Sequence, residues 1–382
     1  MKESFKEAPK LEGYYYSGKE ARQARDKGQL LSIRIETSLM CNLRCKYCCN
    51  RSGQPLPNEI SYEKLIDVID QAHDLHAKSV IIIGGGEPTI YPKFRELVQR
   101  VYTLGMIPVI FTNTQIMTEE LAQFLHDHNV SVIIKLDSLD EKTQDDMAGV
   151  KGAHKNIMQG LKNLMKAGYA NSSNEQKLKL GASFVVNRQN ADQVPDIWRF
   201  CRNQKIFPNL EMMVPNEKGK DISDLLLSRE EWKKLKLQLL EIDQKEFGYD
   251  WLPFTPIIAC GCFQVMYNLY ITVKGIVRPC SSIHAEMANI KDYSLKEIIN
   301  LPFFKTARNI DKHLRGKCKD CKHHAKCIGC RGLAYAFGKN QGEDPITALC
   351  REDPSCFRED KSSSSHGLRL NHLSPLPIRG SI

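Results

Sequence analysis

Residues 41–48 read CNLRCKYC, so the thiols of Cys41, Cys45 and Cys48 follow a Cys-x3-Cys-x2-Cys spacing. Thiolates are soft ligands that select iron–sulfur clusters or zinc over hard cations. Three of them on one short loop can hold three irons of a 4Fe–4S cube and leave the fourth iron open to a small molecule. The alternative is a zinc site completed by Cys49 or by a more distant residue. Either way, this stretch predicts a metal-binding loop.

A glycine-rich motif follows the cysteine loop. Residues 80–92 read VIIIGGGEPTIYP, which is a short apolar strand, three glycines and then Glu87-Pro88. Glycine has no Cβ, so a ligand can approach the backbone closely where such a strand ends. Taken alone, a run of three glycines is more often a plain turn.

The two motifs together, in this order, closely resemble the radical S-adenosylmethionine (SAM) superfamily. The resemblance implies that Cys41, Cys45 and Cys48 hold a 4Fe–4S cluster whose open iron chelates SAM. It also implies a set of SAM-binding residues, of which the last two could equally be ordinary strand residues: Tyr47 near the adenine, Gly85, Gly86, Glu87 and Pro88 at the methionine amine, Asn113 at the third strand end, and Ser183 near the ribose. Lys135 departs from the family, where a serine is usual, and this puts one SAM contact in doubt.

Nine of the fourteen cysteines lie between residues 260 and 356. Their spacing resembles the SPASM extension, a domain that carries two further 4Fe–4S clusters in some radical SAM enzymes. The resemblance implies two ligand sets: Cys260, Cys262, Cys280 and Cys330 for one cluster, and Cys318, Cys321, Cys327 and Cys350 for the other. The gap before Cys330 is one residue shorter than in the family, which makes the ligation of Cys330 less sure. A zinc ribbon is the alternative for residues 318–330, because paired Cys-x2-Cys is a common zinc spacing.

Three cysteines fall outside these sets. Cys201 lies in a predicted helix and is interpreted as a buried apolar side chain. Cys49 and Cys356 are either spare or, in one case, a hydrogen-atom donor to a substrate radical.

Short apolar strands alternate with amphipathic helices through residues 30–215, a pattern that builds a parallel sheet. The strands are predicted at Leu31–Thr37, Ser79–Ile83, Val109–Thr112, Ser131–Leu136, Leu180–Val186 and Leu210–Val214. The fold class is therefore α/β, and six repeats resemble the partial (β/α)6 TIM-like barrel of the superfamily. Both motifs directly follow strands, so they lie at the carboxyl end of the sheet, where parallel barrels carry their chemistry.

The remaining chain divides by composition. The sequence predicts an N-terminal extension at 1–29, a helical linker at 216–255, a cysteine-rich auxiliary-cluster domain at 256–358 and a disordered, Ser- and Pro-rich tail at 359–382.

The formal charge of +9 does not indicate nucleic-acid binding. Eleven ligating thiolates and three 2+ cluster cores would reduce it to roughly +4. The basic run at 312–326 is interpreted as a solvated face that balances cluster charge, with an anion or partner site as the alternative. The sequence has no signal peptide and no apolar run of about eighteen residues, so we expect a cytoplasmic protein with free thiols and no membrane contact.

The resemblance implies that reductive cleavage of SAM yields a 5′-deoxyadenosyl radical, which abstracts hydrogen from a substrate, with an electron donor such as flavodoxin or ferredoxin. Two auxiliary clusters favour net oxidation, and dehydrogenation, crosslinking and epimerisation remain open. No catalytic acid or base is assigned. The sulfatase-maturing activity is disfavoured, because Ser281 and Ser282 replace the acidic residue expected after Cys280.

The substrate expected from the sequence is a small metabolite such as a natural-product sugar. Only forty residues precede Cys41, which is short for the leader-peptide-binding domain of many SPASM relatives. A maturase that crosslinks or epimerises a ribosomally made peptide is the alternative, since a separate protein could recognise the leader. A zinc-stabilised scaffold without enzymatic activity is a minor alternative.

Overall fold

A computed structural model describes residues 5–48, 50, 52–170, 176–213, 223–257 and 261–358, and its centre is an eight-stranded sheet. The strands are β1 Ser32–Ser38, β2 Ser79–Gly85, β3 Ile107–Thr112, β4 Ser131–Lys135, β5 Leu180–Val186, β6 Phe207–Met212, β7 Asn268–Ile271 and β8 Val277–Arg278. Strands β1 to β6 pair in parallel, each with the next along the chain. The α/β partial barrel expected from the sequence is confirmed, and its predicted strands fall within a few residues of the observed ones.

Helices cover the outside of this sheet. The α-helices are α1 Gly18–Asp26, α2 Tyr62–Asp74, α3 Phe94–Thr103, α4 Glu119–Asp127, α5 Glu141–Ala148, α6 Ala153–Leu164, α7 Val194–Asn203, α8 Arg229–Ile242, α9 Gln264–Tyr267, α10 Leu295–Ile298, α11 Pro302–Arg308, α12 Arg331–Asn340 and α13 Pro345–Cys350. Ser61 and Thr118 cap α2 and α4 by accepting backbone N–H groups of the first turn, as N-cap hydroxyls do. Because both faces of the sheet are covered, its strands read as nearly continuous apolar runs.

The sheet continues into the C-terminal part of the chain, which the sequence did not predict. Strand β7 lies parallel to β1, with Tyr270 opposite Arg34, and β8 returns antiparallel to β7. Strand β8 ends two residues before Cys280. The cysteine-rich region is therefore joined to the barrel by backbone hydrogen bonds at the first barrel strand.

The N-terminal extension closes the amino end of the barrel. Tyr14 is 2% exposed and packs among apolar side chains inside the barrel. The Gly13 carbonyl accepts a hydrogen bond of 2.6 Å from Ser79 at the start of β2, and the guanidinium carbon of Arg34 lies 4.9 Å from the centre of the Tyr14 ring. The carboxyl end is left open.

Helix α8, in the predicted linker, runs into a turn that places a buried carboxylate against the barrel. Asp243 is fully buried and pairs with Arg202 of α7 at 2.6 Å. The indole N–H groups of Trp198 and Trp251 donate to the same carboxylate at 2.8 and 2.9 Å. With a second hydrogen bond of 2.9 Å from the Arg202 Nε–H, four donors satisfy this buried charge and attach the linker to the barrel.

No helix among the described residues is both long enough and apolar enough to cross a membrane. The predicted tail at 359–382 lies outside the described residues, as do Val214, Cys49 and Cys260.

Candidate functional site

A cleft of about 340 Å³ opens at the carboxyl ends of the barrel strands. The barrel and the cysteine-rich region both line this cleft, because the loop after Cys280 lies over the barrel mouth. The lining residues that matter below are Cys41, Cys45, Tyr47, Cys48, Asn50, Gly85, Gly86, Glu87, Asn113, Lys135, Ser183, Glu211, Tyr270, Ser281, Ser282 and His284. All the predicted SAM-site residues except Pro88 therefore face one space.

The three cysteines of the first loop stand together at this cleft and are half-buried. The backbone N–H of Leu43 donates to the Cys41 sulfur at 3.4 Å, and Ser52 lies 3.3 Å from the Cys48 sulfur. Burial raises the pKa of the Cys45 thiol to about 12. Such a thiol ionises when a metal ion binds it, because coordination removes the proton outright. Donors aimed at the sulfurs and a space beside them fit an iron–sulfur cluster.

The glycine motif lies against the cysteine loop through backbone hydrogen bonds. The N–H of Gly86 donates to Ser38 at 2.7 Å, and the N–H of Glu87 donates to the Met40 carbonyl at 2.8 Å. A Cβ on Gly86 would stand 2.0 Å from that carbonyl oxygen, so no other residue fits. Gly85 has φ of 83°, which glycine adopts without strain. This edge therefore fixes the cluster loop as well as presenting backbone to a ligand.

Glu87 is 4% exposed and its carboxylate accepts four hydrogen bonds. Thr112 and the Thr89 hydroxyl donate at 2.7 and 2.6 Å, and the backbone N–H groups of Thr89 and Asn113 donate at 3.1 and 2.7 Å. Burial raises the pKa of Glu87, and these hydrogen bonds oppose the rise. The side chain therefore holds the β2 and β3 ends together. Pro88 begins a short 3-10 turn beneath it and is buried.

Tyr47 belongs to a polar group on one wall of the cleft. Its hydroxyl hydrogen-bonds to the fully buried Asp137, which also pairs with Lys135. The Lys135 ammonium lies 4.7 Å from the centre of the Tyr47 ring. The lysine that replaces the usual serine is thus held by the aspartate and the aromatic ring, and it still lines the cleft.

Asn113 and Ser183 both line the cleft. The Asn113 side chain donates to Asn42 at 2.7 Å and lies 4.0 Å from the Cys41 sulfur. The Ser183 hydroxyl donates to Glu211 of β6 at 2.9 Å. Glu211 was not singled out from the sequence, although its place at a strand end was a usable signal.

Glu36 was also missed. It is 3% exposed and accepts from the Tyr270 hydroxyl at 2.5 Å, from the Val273 N–H at 2.9 Å and from Asn50 at 2.8 Å. It therefore ties the cysteine loop to strand β7. A lone acidic residue within the strand SIRIETS was the available signal, but its partners Tyr270 and Val273 come from 234 and 237 residues away.

Cys262, Cys280 and Cys330 form a second group of thiols. Burial raises the pKa of the Cys330 thiol, and a Cβ on Gly332 would stand 2.6 Å from Ser282, so the segments that carry Cys330 and Cys280 lie side by side. The N–H of Leu333 donates to the Cys330 sulfur at 3.5 Å. This arrangement fits three ligands of the first predicted auxiliary set, while Cys260 lies outside the described residues.

A third group of thiols surrounds a small cavity. Its cysteines are Cys318, Cys321, Cys327 and Cys356. The N–H groups of Asp353 and Gly329 donate to the Cys318 and Cys327 sulfurs, each at 3.4 Å, and Arg358 donates to the Cys321 sulfur at 2.9 Å. Four thiols around one cavity, with donors to three of the sulfurs, fit a cluster.

Cys356 lines this cavity, whereas Cys350, the ligand predicted from the sequence, is not among the lining residues. Cys350 is 3% exposed at the end of α13, where charges of Arg315, Arg331 and Asp344 act on it. The chain returns to the cavity only after α13 ends, so Cys356 lies beside it. Spacing alone could not distinguish two cysteines six residues apart.

No three His, Cys, Asp or Glu side chains among the described residues are close enough to hold a single metal ion between them.

Comparison with known proteins follows the same division of the chain. The family model of the radical SAM superfamily matches residues 35–200, and that of the SPASM iron–sulfur cluster-binding domain matches residues 260–322. An AdoMet-dependent heme synthase of Oleidesulfovibrio alaskensis is 24% identical over 361 residues, covering 86% of this chain and 89% of the relative. The sporulation killing factor maturation protein SkfB of Bacillus subtilis is 28% identical over 313 residues, covering 78% of this chain and 69% of SkfB.

Solved structures support the fold. Streptococcus suis SuiB bound to S-adenosylmethionine matches with a TM-score of 0.64 and 19% identity, over 87% of this chain and 78% of SuiB. SuiB bound to its precursor peptide SuiA matches with a TM-score of 0.63 and 19% identity, over 89% of this chain and 80% of SuiB. At this identity the likeness concerns the fold alone.

Proposed function

Because the chain belongs to the radical SAM superfamily and carries a C-terminal SPASM domain, we propose that this enzyme matures a ribosomally made peptide. Its cofactors are iron–sulfur clusters and SAM, which when bound supply a 5′-deoxyadenosyl radical that abstracts hydrogen from the substrate. The proposed outcome is a crosslink or an epimerised residue.

The observation that carries this proposal is the pair of relatives named for peptides. SkfB is a maturation protein for a killing factor, and SuiB has been solved with a precursor peptide. These favour the peptide over the natural-product sugar expected from the sequence, for which the reported relatives offer no support. The heme synthase relative makes a tetrapyrrole the second candidate substrate.

The size and position of the cleft favour a peptide over a tetrapyrrole. Its volume of about 340 Å³ is near the lower end of ligand pockets, which span roughly 300–1,000 Å³, and SAM must share it. One side chain of an extended peptide can enter such a cleft while the rest of the peptide lies across the mouth. A whole tetrapyrrole would need to fit beside SAM.

Residues on one wall of the cleft bind the cluster and the methionine end of SAM. Cys41, Cys45 and Cys48 hold the SAM-binding cluster. Glu87 fixes the glycine edge that receives the methionine amine, and Asn113 holds the cluster loop through Asn42. The buried wall excludes water, which protects a reactive radical.

The opposite wall binds the adenosine part of SAM and contacts the substrate. Tyr47, held by Asp137, packs beside the adenine, and Ser183 faces the ribose. Glu211, which Ser183 orients, and His284, on the loop after Cys280, face the substrate from the two parts of the chain.

The other thiol groups would hold auxiliary clusters, which would supply electron-accepting centres. One set is Cys260, Cys262, Cys280 and Cys330, and the other is Cys318, Cys321, Cys327 and Cys356. An external carrier such as flavodoxin or ferredoxin supplies the reducing electron, in a reducing cytoplasm that keeps thiols available.

The test is an anaerobic assay of reconstituted protein with SAM, a reductant and one of two substrates. Peptides from short reading frames beside the gene are compared with an iron-tetrapyrrole precursor, and both 5′-deoxyadenosine and substrate mass are followed. Peptide-dependent deoxyadenosine with loss of two hydrogens, or with deuterium uptake from solvent, supports the proposal. Turnover of the tetrapyrrole alone would reject the peptide substrate, and absence of deoxyadenosine in every mixture would reject SAM cleavage.

A further inference from the structure

The linker helix α8 contains a lysine that points into the protein. Lys236 is 4% exposed, whereas its neighbour Lys234 is exposed. Its ammonium donates to the Thr255 carbonyl at 2.8 Å and lies 5.9 Å from the centre of the Trp232 ring. An ammonium has three N–H donors, and this is the one hydrogen bond that Lys236 makes among the described residues. A buried charge is costly unless an opposite charge accompanies it.

The surroundings of Lys236 place it beside the third thiol group. Phe254, which precedes the Thr255 that binds the ammonium, lines the cavity of that group. Arg229, seven residues earlier and so on the same face of α8, donates to the Cys356 carbonyl at 2.7 Å. The same helix face therefore meets the cavity at two points, two turns apart.

A buried aspartate connects this cavity with the other group of thiols. Asp353 is 1% exposed and accepts the N–H of Cys330, a member of the second group, at 2.7 Å. Its own N–H donates to the Cys318 sulfur of the third group at 3.4 Å. Burial lowers the pKa of Lys236, while charges on Asp353, Cys330, Cys327 and Cys356 raise it. Asp353 thus lies where the two groups of thiols adjoin.

We propose that Lys236 is a charge-compensating residue for the auxiliary cluster of the third thiol group, which raises that cluster's reduction potential. The inference rests on the ligand sets in the proposed function. Four thiolates around a 2+ core carry a net charge of about −2, and reduction adds a further negative charge. A buried cation beside such a centre stabilises its reduced form, because charges interact strongly where water is excluded. This would make the cluster a better acceptor for an electron from the substrate.

The test compares three variants of the full chain. Lys236→Met removes the charge and keeps the length, Lys236→Arg keeps the charge, and Lys234→Met is the exposed control on the same helix. Each is made with Cys41, Cys45 and Cys48 changed to Ala, so that only auxiliary clusters are present. Iron and sulfide are quantified first, and the reduction potentials are then measured by titration monitored by electron paramagnetic resonance.

Lys236→Met is expected to keep its iron and to shift the reduction equilibrium of at least one auxiliary cluster about tenfold toward the oxidised form, which is about 59 mV for one electron. Lys236→Arg and Lys234→Met should stay close to the parent. Loss of iron in Lys236→Met that Lys236→Arg restores would also support a role of charge. Unchanged potentials with full iron in Lys236→Met, or equal iron loss in both Lys236 variants, would overturn the inference.

The outcome also separates this inference from the proposed ligand sets. If the parent chain with the three alanines binds no cluster, the ligand sets fail and the inference fails with them. If the parent chain binds two clusters and the Lys236 variants leave their reduction potentials unchanged, only the inference fails.

Discussion

The choice between Cys350 and Cys356 can be tested with a matched pair of alanine variants. The structure places the Cys356 side chain at the cavity that Cys318, Cys321 and Cys327 share, and buries Cys350 at the end of α13. Hydrogen bonds to the backbone hold both positions. The Arg315 backbone N–H donates to the Cys350 carbonyl at 2.9 Å, and the Arg229 guanidinium donates to the Cys356 carbonyl at 2.7 Å. Alanine keeps those carbonyls and removes only the sulfur.

The two variants should differ in iron content. Cys356→Ala leaves one cluster with three protein ligands, so we expect loss of about four of roughly twelve irons, which is one third of the total. Cys350→Ala removes a single buried atom from a packed site. We expect it to cost about 1 kcal/mol of unfolding free energy, as small core truncations do, and to keep all of its iron.

The assay is anaerobic reconstitution followed by quantitation of iron and sulfide, with urea unfolding to measure stability. Alanine is preferred to serine because a serine oxygen could still bind iron. The reverse pattern, with a third of the iron lost in Cys350→Ala and none in Cys356→Ala, would refute the assignment. Full iron in both variants would show that neither sulfur is required.

Three further changes test the barrel. Gly86→Ala puts a Cβ 2.0 Å from the Met40 carbonyl oxygen, so it should displace the cluster loop and abolish deoxyadenosine formation in an anaerobic SAM-cleavage assay; wild-type turnover would contradict this account of the glycine. Glu87→Gln sets an amide donor against the four donors around that carboxylate, a mismatch of about 1–3 kcal/mol. It should weaken SAM affinity about tenfold or more, as measured by equilibrium dialysis. An unchanged affinity would argue against the role of Glu87. Asp243→Ala leaves buried Arg202 without its 2.6 Å partner, so unfolding free energy in urea should fall by about 3–5 kcal/mol, whereas a fall below 1 kcal/mol would show that the pair is not structurally important.

The barrel and the first metal loop could be predicted because their signals are local. Alternation of apolar runs with periodic helices locates six strands within a few residues, and Leu180–Val186 is the same in the prediction and the structure. Cys41, Cys45 and Cys48 lie on one loop after β1, and Gly85 and Gly86 lie at the end of β2. Each of these features depends on neighbours within a few residues.

The contacts that complete the site join distant parts of the chain. Glu36 meets Tyr270 from 234 residues away, and strand β7 pairs with β1 across a similar separation. No local pattern records such pairings, because they depend on where the folded chain brings its strands together.

By itself, the sequence predicted the alternation of strands and helices and the grouping of its cysteines, because spacing and periodicity lie in consecutive residues, and the family resemblance added the barrel and the SAM site. Only the tertiary structure decided that Cys356 lines the cavity whereas Cys350 does not, and that Lys236 of the linker is buried. The physical reason is that the side chains of one site must point into the same space. The path of the chain after α13 and the buried face of α8 decide which side chains do so, and spacing along the sequence does not.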